Sequence, residues 1–137
     1  MKRPSTKAAA VVMTTIAAGA LIAAGPARAD GTFHGCPSGA VCVYNGASVD
    51  SGIEPGGIYW SYGPHNLSNQ FGVHAVINNQ TGGAWMRLCA GYNGGGSLII
   101  AESPNTSYPS SWAQDLTPVN SIVLTPGIIS PYCPDGL

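Results

Sequence analysis

Residues 36–46 read CPSGAVCVYNG, and this stretch decides the fold of the chain. Cys36 and Cys42 are separated by five residues that include a Pro-Ser-Gly turn, so the two cysteines can close a small disulfide loop. Cys42 itself lies in a Val-Cys-Val-Tyr run, whose β-branched and aromatic residues favour a strand. The stretch therefore predicts a disulfide that leads directly into a β-strand.

A second copy of this arrangement follows about 44 residues later, where residues 84–89 read AWMRLC before a Gly-rich segment. Both copies continue to a strand of the form apolar-x-x-apolar, at 73–76 in the first copy and at 119–122 in the second. Self-similarity of this kind indicates two copies of one structural unit.

The chain after residue 29 contains short runs of β-branched and aromatic residues, separated by Gly and Pro, and no window with helical periodicity. Each repeat has the content of a four-stranded Greek key, and two such units packed face to face would bury one shared core. We therefore expect an all-β sandwich. Its expected strands cover residues 40–44, 57–62, 73–78, 84–90, 97–101 and 119–125.

Residues 1–29 have the features of a secretory signal peptide. Three basic residues precede an apolar, uncharged segment at 8–24, and the Ala-Arg-Ala sequence at 27–29 matches the small-x-small cleavage rule. The apolar segment is rich in alanine and falls short of the roughly 20 strongly apolar residues that a membrane span needs. We expect cleavage after residue 29, which leaves 137 − 29 = 108 residues, 30–137, as a single secreted domain.

The chain without residues 1–29 is acidic. Arg87 remains as its one basic residue against six Asp and Glu, a formal net charge of 1 − 6 = −5. Binding to nucleic acid or to an anionic membrane needs a basic surface, which one arginine cannot supply. We therefore expect neither nucleic acid nor a membrane as a partner after signal cleavage.

Four cysteines in an exported chain suit two disulfides, for which three connectivities are possible. We favour Cys36 with Cys42, because a turn joins them, and Cys89 with Cys133, because this bond would tie the C-terminal tail to the second repeat. There is no C-x-x-C motif, and the histidines lack the spacing of metal ligands. Neither a metal site nor a cofactor is expected.

Three features of the sequence resemble the secreted actinobacterial proteins of peptidase inhibitor family I36. They are the C-x5-C-V-Y pattern followed by Gly52, the VINNQTG passage at 76–82 and the VNSIV strand at 119–123. The resemblance covers roughly residues 36–125. It implies a βγ-crystallin-like fold and a secreted, monomeric inhibitor of extracellular proteases, above all of zinc metalloproteases.

Many crystallin-type units bind calcium through an Asn/Asp-rich stretch before the last strand of each repeat. The corresponding stretches here, 70–72 and 116–118, read QFG and LTP and contain no acidic residue. Calcium takes six to eight oxygen ligands, carboxylates among them, and Asp115 alone is a poor start. No calcium site is therefore expected.

Catalytic motifs are absent, because the sequence contains neither G-x-S-x-G nor H-E-x-x-H. His74 is expected to be an outward-facing or hydrogen-bonded strand residue, and His65 to lie in a Gly-Pro-His-Asn turn. Glu54 and Glu102 could act as a glycosidase-like pair only at a defined separation, which the sequence does not show. We therefore expect a binding protein rather than an enzyme.

Two segments have the exposed apolar residues and the turn that an inhibitory loop requires, 60–65 and 107–112. We favour the first, because the aromatic residues around 60 offer an inward anchor and an outward side chain beside a stiff proline. Two alternatives stay open: a crystallin-fold toxin or carbohydrate-binding module that uses the same aromatics, and a structural exported protein. The favoured inhibitory loop comprises Trp60, Ser61, Tyr62, Gly63 and Pro64.

The first prediction concerns processing. The intact mass of the exported protein should correspond to a chain that begins at Asp30 and is four hydrogens lighter than its reduced form, because four cysteines form two disulfides in an oxidising compartment. A mass that includes residues 1–29 would contradict the signal-peptide assignment.

Overall fold

The computed structural model describes residues 31–103 and 110–134, and the predicted signal peptide lies outside these ranges. No helix within them is long and apolar enough to cross a membrane. The described residues form two short 3₁₀ helices, Val49–Ser51 and Tyr92–Gly94, and eight strands. The strands are β1 (Ala40–Tyr44), β2 (Ile53–Tyr59), β3 (Gly63–Asn66), β4 (Val73–Asn79), β5 (Trp85–Cys89), β6 (Leu98–Glu102), β7 (Ser110–Asp115) and β8 (Ser121–Thr125).

The strands form two four-stranded antiparallel sheets, with the orders β2-β1-β4-β7 and β3-β8-β5-β6. The all-β prediction is therefore confirmed. In each repeat the fourth strand returns beside the first, while the third strand joins the sheet of the other repeat. This exchange of β3 and β7 was not predicted from the sequence, and it ties the two halves into one unit.

Most of the expected strands are present. The expected runs at 40–44, 73–78, 84–90, 97–101 and 119–125 match β1, β4, β5, β6 and β8 within a few residues. The run at 57–62 is only partly correct, because β2 begins at Ile53 and ends at Tyr59, and β3 and β7 were missed. The turn predicted for GPHN at 63–66 is wrong: these residues form β3, an edge strand, where a proline is tolerated.

Side chains that alternate along the central strands fill the space between the sheets. Because successive residues of a strand point to opposite faces, every second residue of β1 and β5 reaches this core. The register is equivalent in the two repeats, since Val43 pairs with Val76 and Leu88 pairs with Ile122. The fully or almost fully buried core residues are Val41, Val43, Leu67, Val76, Met86, Leu88, Leu116, Val119, Ile122 and Leu124.

A terminal segment covers the outer face of each sheet, and a disulfide holds it there. Cys36, in the N-terminal segment, bonds to Cys42 of β1. Cys133, in the C-terminal segment, bonds to Cys89 of β5. The favoured connectivity is therefore the one observed. Each bond lies in an apolar cluster of its own on the outer face, so the sandwich has a layer of packing outside each sheet.

The second prediction concerns the two disulfides. Replacing Cys89 and Cys133 with serine should lower the free energy of unfolding by about 2 to 4 kcal/mol, because this bond closes a long loop in the unfolded chain. The same change at Cys36 and Cys42, which are six residues apart, should cost less. Urea denaturation of the two double variants measures the difference, and the reverse order would contradict the loop-length argument.

Candidate functional site

Trp60 and Trp85 lie at one end of the sandwich, and the Trp112 side chain contacts Glu102, the last residue of β6, at the same end. Strands β2, β4 and β6 end there and β3, β5 and β7 begin there, as shown by the pairing of Gly63 with Leu124, Trp85 with Thr125 and Asn78 with Ser110. We call this the tryptophan end and define it by Trp60, Tyr62, Trp85 and Trp112. It is the part of the described surface richest in large aromatic side chains.

The favoured inhibitory loop lies at this end, but only its first three residues lie outside the strands. Trp60, Ser61 and Tyr62 connect β2 in one sheet to β3 in the other, whereas Gly63 and Pro64 pair with β8. Trp60 is 57% exposed and Tyr62 is 58% exposed. The predicted loop is therefore a short bridge between the two sheets rather than a turn around Gly63 and Pro64.

Contacts on both sides hold this bridge. The preceding residue, Tyr59, is partly buried and packs against the core, so it is the aromatic residue of this group that faces inward. His65 of β3 donates from Nε2 to the Ser61 carbonyl oxygen at 2.8 Å, and its ring centroid lies 5.2 Å from that of Tyr59. One edge of the Trp60 ring lies near Gly39, a residue of the loop that the first disulfide closes. The backbone of the bridge is therefore held in place, while the side chains of Trp60 and Tyr62 are exposed.

The electrostatic environment of the bridge is set by Tyr59 and Glu54. Burial raises the pKa of the Tyr59 hydroxyl to about 12, and the nearby Glu54 carboxylate contributes to the rise. Glu54 accepts a 2.9 Å hydrogen bond from the Gln70 amide. The raised pKa keeps the Tyr59 hydroxyl neutral at physiological pH.

Glu102 and Trp112 meet at the other edge of the tryptophan end. The Trp112 indole N–H donates to the Glu102 carboxylate; burial raises the pKa of Glu102 and this hydrogen bond opposes the rise. Trp112 lies in β7, and of the second candidate segment, 107–112, residues 107–109 lie outside the described residues.

The carboxylate pair considered from the sequence is not brought together. Glu54 lies on β2, at one edge of its sheet, whereas Glu102 contacts β7, the strand at the opposite edge of that sheet. The described residues also contain no group of three or more His, Cys, Asp or Glu side chains that could hold a metal ion. The tryptophan end therefore brings aromatic side chains together but not the two carboxylates.

His74 has the hydrogen-bonded strand role, one of the two expected from the sequence. Its Nδ1 lies 2.6 Å from the Tyr44 carbonyl oxygen and its Nε2 lies 3.2 Å from the Phe71 carbonyl oxygen. These contacts join β4 to the end of β1 and to the segment before β4. His74 thus connects neighbouring segments at the end of the sandwich opposite the tryptophans.

An exposed apolar pair that the sequence analysis did not single out follows β8. Ile128 is 54% exposed and Ile129 is 92% exposed, in a segment that runs from the tryptophan end over the outer face of the second sheet. The available signal was an Ile-Ile pair between Pro-Gly and Ser-Pro at 126–131, with a cysteine close behind.

The third prediction concerns Tyr59. A tyrosine whose pKa is raised on folding contributes stability that is fully present below its unfolded pKa of about 10 and is lost as the pH rises through about 12. Urea unfolding between pH 9.5 and pH 11.5 should therefore show a steeper loss of stability in the wild type than in Tyr59→Phe, which has no hydroxyl to ionise. Parallel pH profiles would show that Tyr59 is not buried as described.

Comparison of the chain with protein-family models, with curated proteins and with solved structures gave no match.

Proposed function

We propose that the protein is a secreted inhibitor of extracellular proteases, above all of zinc metalloproteases, and that it acts by binding rather than by catalysis. The observation that carries the proposal is the exposed bridge of Trp60, Ser61 and Tyr62, held at both ends by strands of different sheets. The resemblance to peptidase inhibitor family I36 supplies the class of partner. The two disulfides support export to an oxidising compartment.

We further propose that the fold is of the βγ-crystallin type. Support comes from the strand order, in which each repeat returns its fourth strand beside its first and gives its third strand to the other sheet. Two repeats related in this way form a double Greek key around a single core. The matching registers of β1 with β4 and of β5 with β8 agree with this arrangement.

The bridge has the physical properties that a protease inhibitor needs. Its backbone is ordered before binding, because Tyr59 anchors one side and His65 holds the Ser61 carbonyl, so little conformational entropy is lost on docking. Its exposed aromatic side chains are of the type that dominates protein interfaces. If a bound protease cleaves the bridge, β2 and β3 still hold both ends in place.

A carbohydrate-binding function is the second candidate. The observation that favours it is the exposure of two aromatic rings, Trp60 and Tyr62, on either side of Ser61. Flat aromatic surfaces with a polar edge also suit the apolar faces of sugar rings. No comparable observation favours a toxin or a purely structural role.

The fourth prediction tests the bridge. Tyr62→Ala should weaken protease inhibition by about 2 kcal/mol, or roughly thirtyfold, because an aromatic hot spot is lost. The melting temperature should change little, since Tyr62 is exposed. Tyr92→Ala is the matched control, because Tyr92 is 59% exposed and lies at the opposite end of the sandwich.

The inhibition constants should be measured against a thermolysin-like enzyme and a subtilisin-like enzyme, with pull-down on insoluble glycans in parallel. Equal inhibition by the wild type and Tyr62→Ala would exclude the bridge as the contact. If no protease is inhibited and Tyr62→Ala loses glycan binding, the carbohydrate-binding candidate replaces the inhibitor.

A further inference from the structure

One peptide bond of the bridge fits a protease cleft better than its neighbours, the bond between Ser61 and Tyr62. Proteases of the thermolysin type select the apolar side chain that follows the bond they cleave, and Tyr62 is 58% exposed. The bond before Trp60 starts from Tyr59, which is paired in β2, and the bond before Ser61 is followed by a small polar residue. The Ser61–Tyr62 bond is therefore the one that such an enzyme would attack.

The carbonyl oxygen of this bond already has a hydrogen-bond donor within the chain. His65 Nε2 lies 2.8 Å from the Ser61 carbonyl oxygen, and because a carbonyl oxygen can only accept, Nε2 carries the proton. Peptide hydrolysis requires the same oxygen, since a metal ion polarises it or donors of the enzyme hold the negative charge that develops on it. His65 therefore holds the atom that a protease has to reach.

The His65 donor is itself held by its strand neighbours and by Tyr59. The His65 backbone pairs with Ile122 of β8, and the centroids of the His65 and Tyr59 rings are 5.2 Å apart. The next residue, Asn66, exchanges two hydrogen bonds with Asn93: its Nδ2 donates to the Asn93 Oδ1 at 3.0 Å, and its Oδ1 accepts from the Asn93 N–H at 2.7 Å. These contacts fix β3, and with it the donor, relative to the bridge.

The bridge is short, which limits rotation of the Ser61 carbonyl. Tyr59 is paired in β2 and Gly63 is paired in β3, so three residues span the distance between two fixed positions. Turning the Ser61 carbonyl toward a bound enzyme would break its hydrogen bond to His65 and strain both strand pairs. A protease that binds the Tyr62 side chain therefore meets a peptide bond whose carbonyl faces β3 of the inhibitor.

We propose that His65 protects the Ser61–Tyr62 bond from hydrolysis by the bound protease, and so keeps the protein an inhibitor rather than a substrate. This inference rests on the proposed inhibitory function and adds to it a reactive bond and a positioning residue, because His65 acts through the Ser61 carbonyl. Without the donor, the carbonyl is free to turn toward the enzyme. Water then adds to the carbonyl carbon, the C–N bond breaks, and the chain is left with a carboxylate at Ser61 and an amino group at Tyr62.

Cleavage at this bond can be recognised by mass spectrometry. Both cysteines of the first disulfide precede Ser61 and both cysteines of the second follow Tyr62, so each disulfide lies within one fragment. Denaturation without reduction should therefore separate a fragment that ends at Ser61 from one that begins at Tyr62. Their summed mass should exceed that of the intact chain by one water molecule.

The test compares His65→Phe with His65→Gln in the full chain, exported and oxidised, during incubation with a thermolysin-like enzyme. Phenylalanine keeps a ring beside Tyr59 but has no donor, whereas the glutamine amide reaches about as far as Nε2 and donates. His65→Phe should be cut at Ser61–Tyr62 about five to ten times faster than the wild type, because one hydrogen bond to the carbonyl is lost. His65→Gln should be cut at the wild-type rate. His74→Phe, which removes a histidine from the opposite end of the sandwich, is the control for lost stability and should leave this bond intact.

The outcomes separate this inference from the proposed function. If the wild type inhibits and His65→Phe is cut no faster, or is cut at several bonds at once, the inhibitory function stands and the protective role of His65 is excluded. Equal cleavage of His65→Phe and His65→Gln would also exclude it. His65→Leu, which likewise has no donor, replaces His65→Phe if the latter lacks the circular dichroism spectrum of the wild type. If the wild type inhibits no protease, the proposed function fails and this inference fails with it.

Discussion

Apolar packing between the inner faces of the four central strands is the interaction on which the rest of the structure depends. Val41 and Val43 of β1 and Met86 and Leu88 of β5 are fully buried there, together with Ile122 of β8. Each fully buried side chain of this size stabilises the fold by about 1.5 to 3 kcal/mol. The edge strands, the bridge and the terminal segments all attach to this framework.

The exchange of the third strands determines where the exposed aromatic residues Trp60 and Tyr62 lie. Because β2 and β3 belong to different sheets, the three residues between them must cross the edge of the sandwich, where their side chains cannot all reach the core. On the buried side of this crossing, Tyr59 packs against the core and its ring contacts the ring of His65. Trp60 and Tyr62 are therefore exposed without being mobile ends, which is the condition for binding at low entropic cost.

The disulfides stabilise the packing on the outer faces of the two sheets. In a domain of this size the sandwich core alone is modest, and each bond holds a terminal segment against a sheet. On the second sheet the held segment also covers Arg87, whose guanidinium binds the Ile128 carbonyl. The disulfide and the Arg87 hydrogen bond thus fix the backbone of this segment, while the side chains of Ile128 and Ile129 are exposed to solvent.

The sequence by itself determined the all-β class, the repeat and five of the strands, because these depend on local β propensity and alternation. It favoured the observed disulfide pairing among three possible ones, and the structure decided it. It also indicated Trp60 and Tyr62 as residues of a candidate loop, because they are aromatic and stand beside a Gly-Pro pair. Only the tertiary structure decided that Gly63 and Pro64 form an edge strand, that β3 and β7 change sheets and that Ile129 is exposed. Edge strands, strand exchange and exposure depend on contacts between residues far apart in the chain, which local pattern does not encode.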